Sequence, residues 1–81
     1  MYKPNSNGIW WYNDNDGTWR LTGSTWADFL ELSKEIKEGM YSNDDMFYLV
    51  FGNKRWLICD GLNPLEEHRI PKLKEFIEKN L

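Results

Sequence analysis

The sequence predicts an α+β fold: a β-hairpin–helix–β-hairpin–helix chain forming a four-stranded antiparallel sheet with two helices packed on one face. Three observations carry this expectation. Two short turn clusters, one rich in Asn and Asp and one Gly-Asn pair, are each flanked by strand-like runs. Each pair of runs is followed by a segment whose apolar residues recur at helical spacing. With 81 residues the chain can build one core and no second one.

Residues 1–7 hold a proline and several polar turn formers and are expected to form a loose arm. A single ββαββα domain is expected over 8–81. Gly8-Ile9-Trp10-Trp11-Tyr12 reads as the first strand. Asn13-Asp14-Asn15-Asp16-Gly17 reads as a turn, with Gly17 able to take a positive φ. In Thr18-Trp19-Arg20-Leu21-Thr22, Trp19 and Leu21 share one face while Thr18, Arg20 and Thr22 share the other. That period of two marks a strand with one solvated side.

A helix is expected over 25–38. Thr25 with Asp28 three positions later has the form of a capping box, and Gly39 is a natural stop. Trp26, Phe29, Leu30, Leu32, Ile36 and Met40 form its apolar stripe. Tyr41 to Asp45 reads as a polar connector. Met46 to Phe51 and Lys54 to Cys59 then flank Gly52-Asn53, a tight primed-type hairpin loop. Pairing across it sets Leu49 opposite Trp56, Val50 opposite Arg55 and Tyr48 opposite Leu57. Phe47, Leu49, Phe51, Trp56 and Ile58 then share one face; Met46, Tyr48, Val50, Arg55, Leu57 and Cys59 share the other. With both faces largely apolar, the hairpin is expected to be central in the sheet.

Asn63-Pro64-Leu65-Glu66 has the form of a helix start, and Pro71 blocks its continuation. One turn near 64–69 is therefore expected, then a helix over 71–80 with Leu73, Phe76, Ile77 and Leu81 on its buried face. The two halves align sparsely, Gly17-Thr18-Trp19-Arg20-Leu21 with Asn53-Lys54-Arg55-Trp56-Leu57. Any amphipathic ββα unit shares that much.

Composition and charge exclude several functions. No apolar run reaches the roughly 20 residues that cross a bilayer, so no membrane association is expected. The start has no apolar h-region of a secretory signal. Ten Lys and Arg stand against thirteen Asp and Glu, a net charge of -3. The basic residues are scattered, and Lys72, Lys74 and Lys79 alternate with Glu75 and Glu78. Direct nucleic-acid binding through a phosphate-neutralising groove is not expected. The one cysteine, Cys59, allows no internal disulfide and fits a reducing, cytoplasmic setting.

No chemistry of catalysis assembles from the residues. With Gly17 at the sixth position of an EF-hand loop, the first ligand would be Tyr12 and the twelfth Gly23, so the acidic turn reads as a solvated turn. One Cys and one His do not complete a zinc site. A Cys59–His68 nucleophile pair lacks a strand-to-helix elbow around Cys59, which reads as a small buried apolar residue. The pairs Asp44-Asp45 and Glu66-Glu67 do not face one another on a strand or helix and read as structural. No phosphate-cradling glycine loop is present in the sequence. No enzyme activity, metal or cofactor is therefore expected.

What remains is an excess of rings: five Trp, four Tyr and four Phe, 16% of the chain. A domain this small buries only about 60% of the surface its unfolded chain exposes, so some rings must stay at the surface. Trp and Tyr are also the types that dominate interaction hot spots. Ile9-Trp10-Trp11-Tyr12 with Gly17-Thr18-Trp19 superficially resembles the aromatic hairpin repeats of choline-binding cell-wall modules. Those act in tandem and lack the helix that comes next here, so the family is not assigned.

The sequence thus points to a small non-enzymatic module that inhibits or regulates another protein by occluding it. By association, small acidic domains of this build are common among phage and mobile-element inhibitors, anti-defence proteins included. Trp10, Tyr12, Tyr48 and Arg55 are the expected partner-binding residues: exposed rings around one central cation. The alternative is a small-ligand binder that stacks a nucleotide or sugar on Trp and Tyr rings, with a homodimer as one way of completing the stack.

Overall fold

The computed structural model describes residues 4–60 and 72–81. Its elements are β1 (Gly8–Asn13), β2 (Thr18–Gly23), α1 (Trp26–Lys37), β3 (Asp45–Phe51), β4 (Lys54–Asp60) and α2 (Leu73–Asn80). The strands form one antiparallel sheet in the order β2-β1-β3-β4. The expected α+β architecture and element order are those observed. The turn near 64–69, with Glu66, Glu67 and His68, lies outside the described residues, as does Pro71. Among the described residues no helix is long and apolar enough to cross a membrane.

Turn chemistry sets both hairpins. Asn13 belongs to β1 rather than to the turn and pairs with Thr18. Its carbonyl accepts from Gly17 N at 2.8 Å, and its side-chain oxygen accepts from Asn15 N at 2.9 Å. Asp16 Oδ1 accepts from Thr18 N at 3.1 Å and from Thr18 Oγ1 at 2.7 Å. The second hairpin closes with Phe51 opposite Lys54, and Gly52 takes φ 62 at the first loop position, as a primed II′ turn demands. Leu49, Val50 and Tyr48 pair with Trp56, Arg55 and Leu57 as expected. Of this hairpin only β3 is central, whereas β4 is an edge strand. β3 finds its second partner in β1, and nothing in the local pattern of β4 encodes such a neighbour.

Each hairpin also contains one bulge, and the two bulges occupy matching places. Ile9 pairs with Gly23 and Trp10 with Leu21, leaving Thr22 extra; Phe47 pairs with Cys59 and Tyr48 with Leu57, leaving Ile58 extra. Ile9 and Trp10 thus correspond to Phe47 and Tyr48, and Leu21-Thr22-Gly23 to Leu57-Ile58-Cys59. Trp10 and Tyr48 are themselves partners across the central β1–β3 ladder. An approximate two-fold axis therefore passes through that pair and relates one hairpin to the other. The second bulge also corrects the expected face of Cys59. Two residues opposite one on the partner strand turn both Ile58 and Cys59 into the core, at 0% and 5% exposure.

The core lies between the sheet and the helices. Ile9, Phe47, Leu49, Ile58 and Cys59 from the strands meet Phe29, Leu32 and Ile36 of α1 and Leu73 and Ile77 of α2. Thr25 caps α1 as expected: its Oγ1 accepts from Asp28 N at 3.1 Å while Asp28 Oδ2 accepts from Thr25 N at 3.1 Å. At the other end Gly39 N and Met40 N donate to Ile36 O and Glu35 O, the two bonds of a Schellman turn. Leu30 and Met40 are not in the buried stripe, at 50% and 61% exposure. Leu30 is rotated about 100° from Phe29 on the helix, and Met40 lies beyond the turn. α2 begins at Leu73, after Lys72 in a left-handed conformation with φ 60.

One buried carboxylate ties the halves together. Asp45, 7% exposed, belongs to β3 rather than to the connector. Its Oδ1 accepts from Trp11 Nε1 at 3.0 Å and Asn13 Nδ2 at 2.8 Å. Its Oδ2 accepts from Ser42 N at 2.9 Å.

Candidate functional site

With both helices on one side, the other sheet face is left to Trp10 and Tyr12 of β1, Trp19 and Leu21 of β2, Tyr48 and Val50 of β3, and Arg55 and Leu57 of β4. Alternation along each strand and the observed registers put these side chains on one surface. Their exposure is uneven. Trp10 is 1% exposed, so it is not the surface ring the sequence suggested. It sits on a central strand between Leu21 and Tyr48, and its Nε1 donates to Ser6 O at 2.9 Å. Ser6 and Asn7, the last residues of the segment expected as an arm, are held there, because Asn7 Oδ1 also accepts from Gly52 N at 2.9 Å.

Around this buried indole the remaining rings form a cluster. Tyr12 lies across the hairpin from Trp19, with ring centroids 4.5 Å apart. Trp19 reaches Tyr48 at 5.3 Å, and Tyr12 meets Tyr48 edge-on at 6.5 Å. The Arg55 guanidinium lies 5.3 Å from the Trp19 ring centre. Each of the four strands supplies one of these groups. They line a cleft of about 560 Å³, with Val50 in its wall and Pro4 and the Gly52-Asn53 turn at its margin. Arg55 is the charged side chain among the lining residues, and it is exposed.

Tyr12, Tyr48 and Arg55, three of the four residues singled out from the sequence, therefore share one cleft. Trp19 was missed. A turn counted as five residues sets Thr18 opposite Tyr12, whereas the observed four-residue turn brings Trp19 there.

The chain matches no protein-family model, no curated protein and no solved structure with which it was compared.

Beyond the cleft, polar side chains serve the fold. Tyr41 donates to Glu35 Oε1 at 2.8 Å, and its phenol is pushed up to about 12 by burial first and then by Glu35. The Asp28 carboxyl is held below its ordinary value by hydrogen bonds from Thr25 and Ser24. Cys59 is buried. Among the described residues no group of three His, Cys, Asp or Glu side chains could hold a metal ion.

Proposed function

We propose that the protein is a small non-enzymatic binding module that inhibits or regulates a partner protein by covering it with the open face of its sheet. The observation that supports this reading is the convergence of Tyr12, Trp19, Tyr48 and Arg55 from four strands into one cleft. Trp, Tyr and Arg are the types that carry most interface energy, because each combines a large contact area with a polar handle. Placed on a sheet, they lose little further freedom on binding. Exposed Leu57 and Leu21, at 38% and 45%, would extend the contact on either side. The small size and acidic balance are those of phage and mobile-element anti-defence inhibitors, and that origin belongs to the proposal.

The test is a double substitution, Tyr48→Ala with Arg55→Ala, measured against the partner isolated with the native chain. Partner binding is lost while the melting temperature stays within about 5 °C. Retained binding rejects the face as the contact surface.

A second reading is supported by the concavity itself. About 560 Å³ falls within the range of small-molecule sites. A small ligand held there quenches Trp fluorescence at micromolar concentration and adds its own mass in native mass spectrometry.

A further inference from the structure

We infer that the cleft is a site for a planar ring carrying a negative charge, and that a free nucleoside monophosphate is the ligand class that its walls fit. This rests on the small-ligand reading above and names its ligand.

The approximate two-fold axis provides the first reason. The bulges align Leu21 with Leu57, so two residues earlier Trp19 aligns with Arg55. A position that is aromatic in one half is cationic in the other. The cleft is therefore symmetric in backbone and polar in chemistry, with π faces on one flank and a guanidinium on the other. The two flanks touch, since Arg55 lies 5.3 Å from the Trp19 ring centre. One small molecule can engage both.

The second reason is charge. Among the described residues that line the cleft, none places a carboxylate beside Arg55. A cationic ligand is repelled there, whereas a phosphate gains a forked pair of hydrogen bonds. A neutral sugar would gain no charge-assisted pair from the guanidinium, and an inorganic anion would leave the rings unused. At the margin, the Asn53 amide offers a donor and an acceptor of the kind a base edge needs. A nucleic-acid strand would require cations along its backbone, and the described lining of this cleft supplies one. A single nucleotide is the occupant that uses every wall.

The test is an NMR titration of the full chain with four probes: AMP, adenosine, inorganic phosphate and methyl glucoside. The signals followed are the Trp19 indole and the Asn53 and Arg55 amides. AMP is expected to shift all three and to bind about tenfold more tightly than adenosine or phosphate, the gain of a charge-assisted pair. Arg55→Gln removes the advantage of AMP over adenosine, while Arg55→Lys recovers only part of the difference. Arg55 is exposed, and unaltered amide dispersion in both variants confirms the fold. Equal affinity for AMP and adenosine, or for AMP and phosphate, overturns the inference. Binding of methyl glucoside with AMP silent overturns it too, yet leaves the small-ligand reading standing. Silence from all four probes overturns both.

Discussion

The indole nitrogen of Trp11 donates to Asp45 Oδ1 at 3.0 Å, fastening β1 to the first residue of β3. Trp10, its neighbour in sequence, points the other way and donates to Ser6 O at 2.9 Å. Adjacent residues of one strand thus pin the helix side and the open side of the sheet separately.

The Asp45 carboxylate is an acceptor on both oxygens, toward Trp11 and Asn13 on one and Ser42 on the other. Asp45→Asn introduces an amide NH₂ that faces a donor in either orientation. Both Asp45→Asn and Asp45→Ala are therefore expected to cost about 2–3 kcal/mol. Urea denaturation measures this, and an Asn variant as stable as the native chain would contradict the geometry.

Trp10 and Trp19 share a face and should behave oppositely. Trp10→Ala removes a fully packed ring and is expected to cost about 3–5 kcal/mol. Trp19→Ala removes a partly exposed cross-strand contact and costs about 1 kcal/mol or less. Thermal unfolding of the two variants checks the contrast; equal losses would place Trp19 in the core.

Acid stability depends on the α1 cap. Asp28 binds its proton less tightly in the folded chain than in the unfolded one, so its contribution is present above the ordinary value of 3.8 and lost as pH falls through the lower folded value. Asp28→Asn should flatten that part of the stability–pH curve. A carbon added at Gly23 would land against the Asp28 side chain, so Gly23→Ala is expected to cost at least the about 1 kcal/mol of the cap. Chemical denaturation between pH 2 and 5 checks both variants. With the cap displaced, Asp28 loses the hydrogen bonds that lower its pKa, so Gly23→Ala flattens the curve as Asp28→Asn does. A Gly23→Ala curve as steep as the native one would contradict the geometry.

At alkaline pH the sign reverses. Tyr41 keeps its proton to about 12 in the folded chain against 10.0 ordinarily, so the stability it contributes is present below pH 10 and declines as pH rises toward 12. Tyrosinate absorbance should show a late-titrating contribution from Tyr41 that is absent in Tyr41→Phe. If Tyr41→Phe leaves the titration unchanged, the late group is another tyrosine.

Local chemistry made much of this legible. A two-residue loop fixes register, so the Leu49–Trp56 and Val50–Arg55 pairs follow from the position of Gly52-Asn53. Thr25 and Asp28 cap a helix through bonds within one turn of chain. Where the outcome depends on distant residues, the pattern carried no signal. Nothing near Ile58 marks the bulge that sends Cys59 inward, and nothing near Trp10 shows that Ser6 will accept its N–H. The cleft was legible in its rings and its cation, but the length of one turn hid Trp19.

The matched bulges and the central Trp10–Tyr48 pair have a consequence for the chain's integrity. All strand pairing between the two halves runs through β1 and β3, and the connector between α1 and β3 is the covalent link from the first half to the second. A chain cut within that connector would become two fragments whose reunion is a bimolecular event. The midpoint of its unfolding would then rise with protein concentration, whereas that of the intact chain would not.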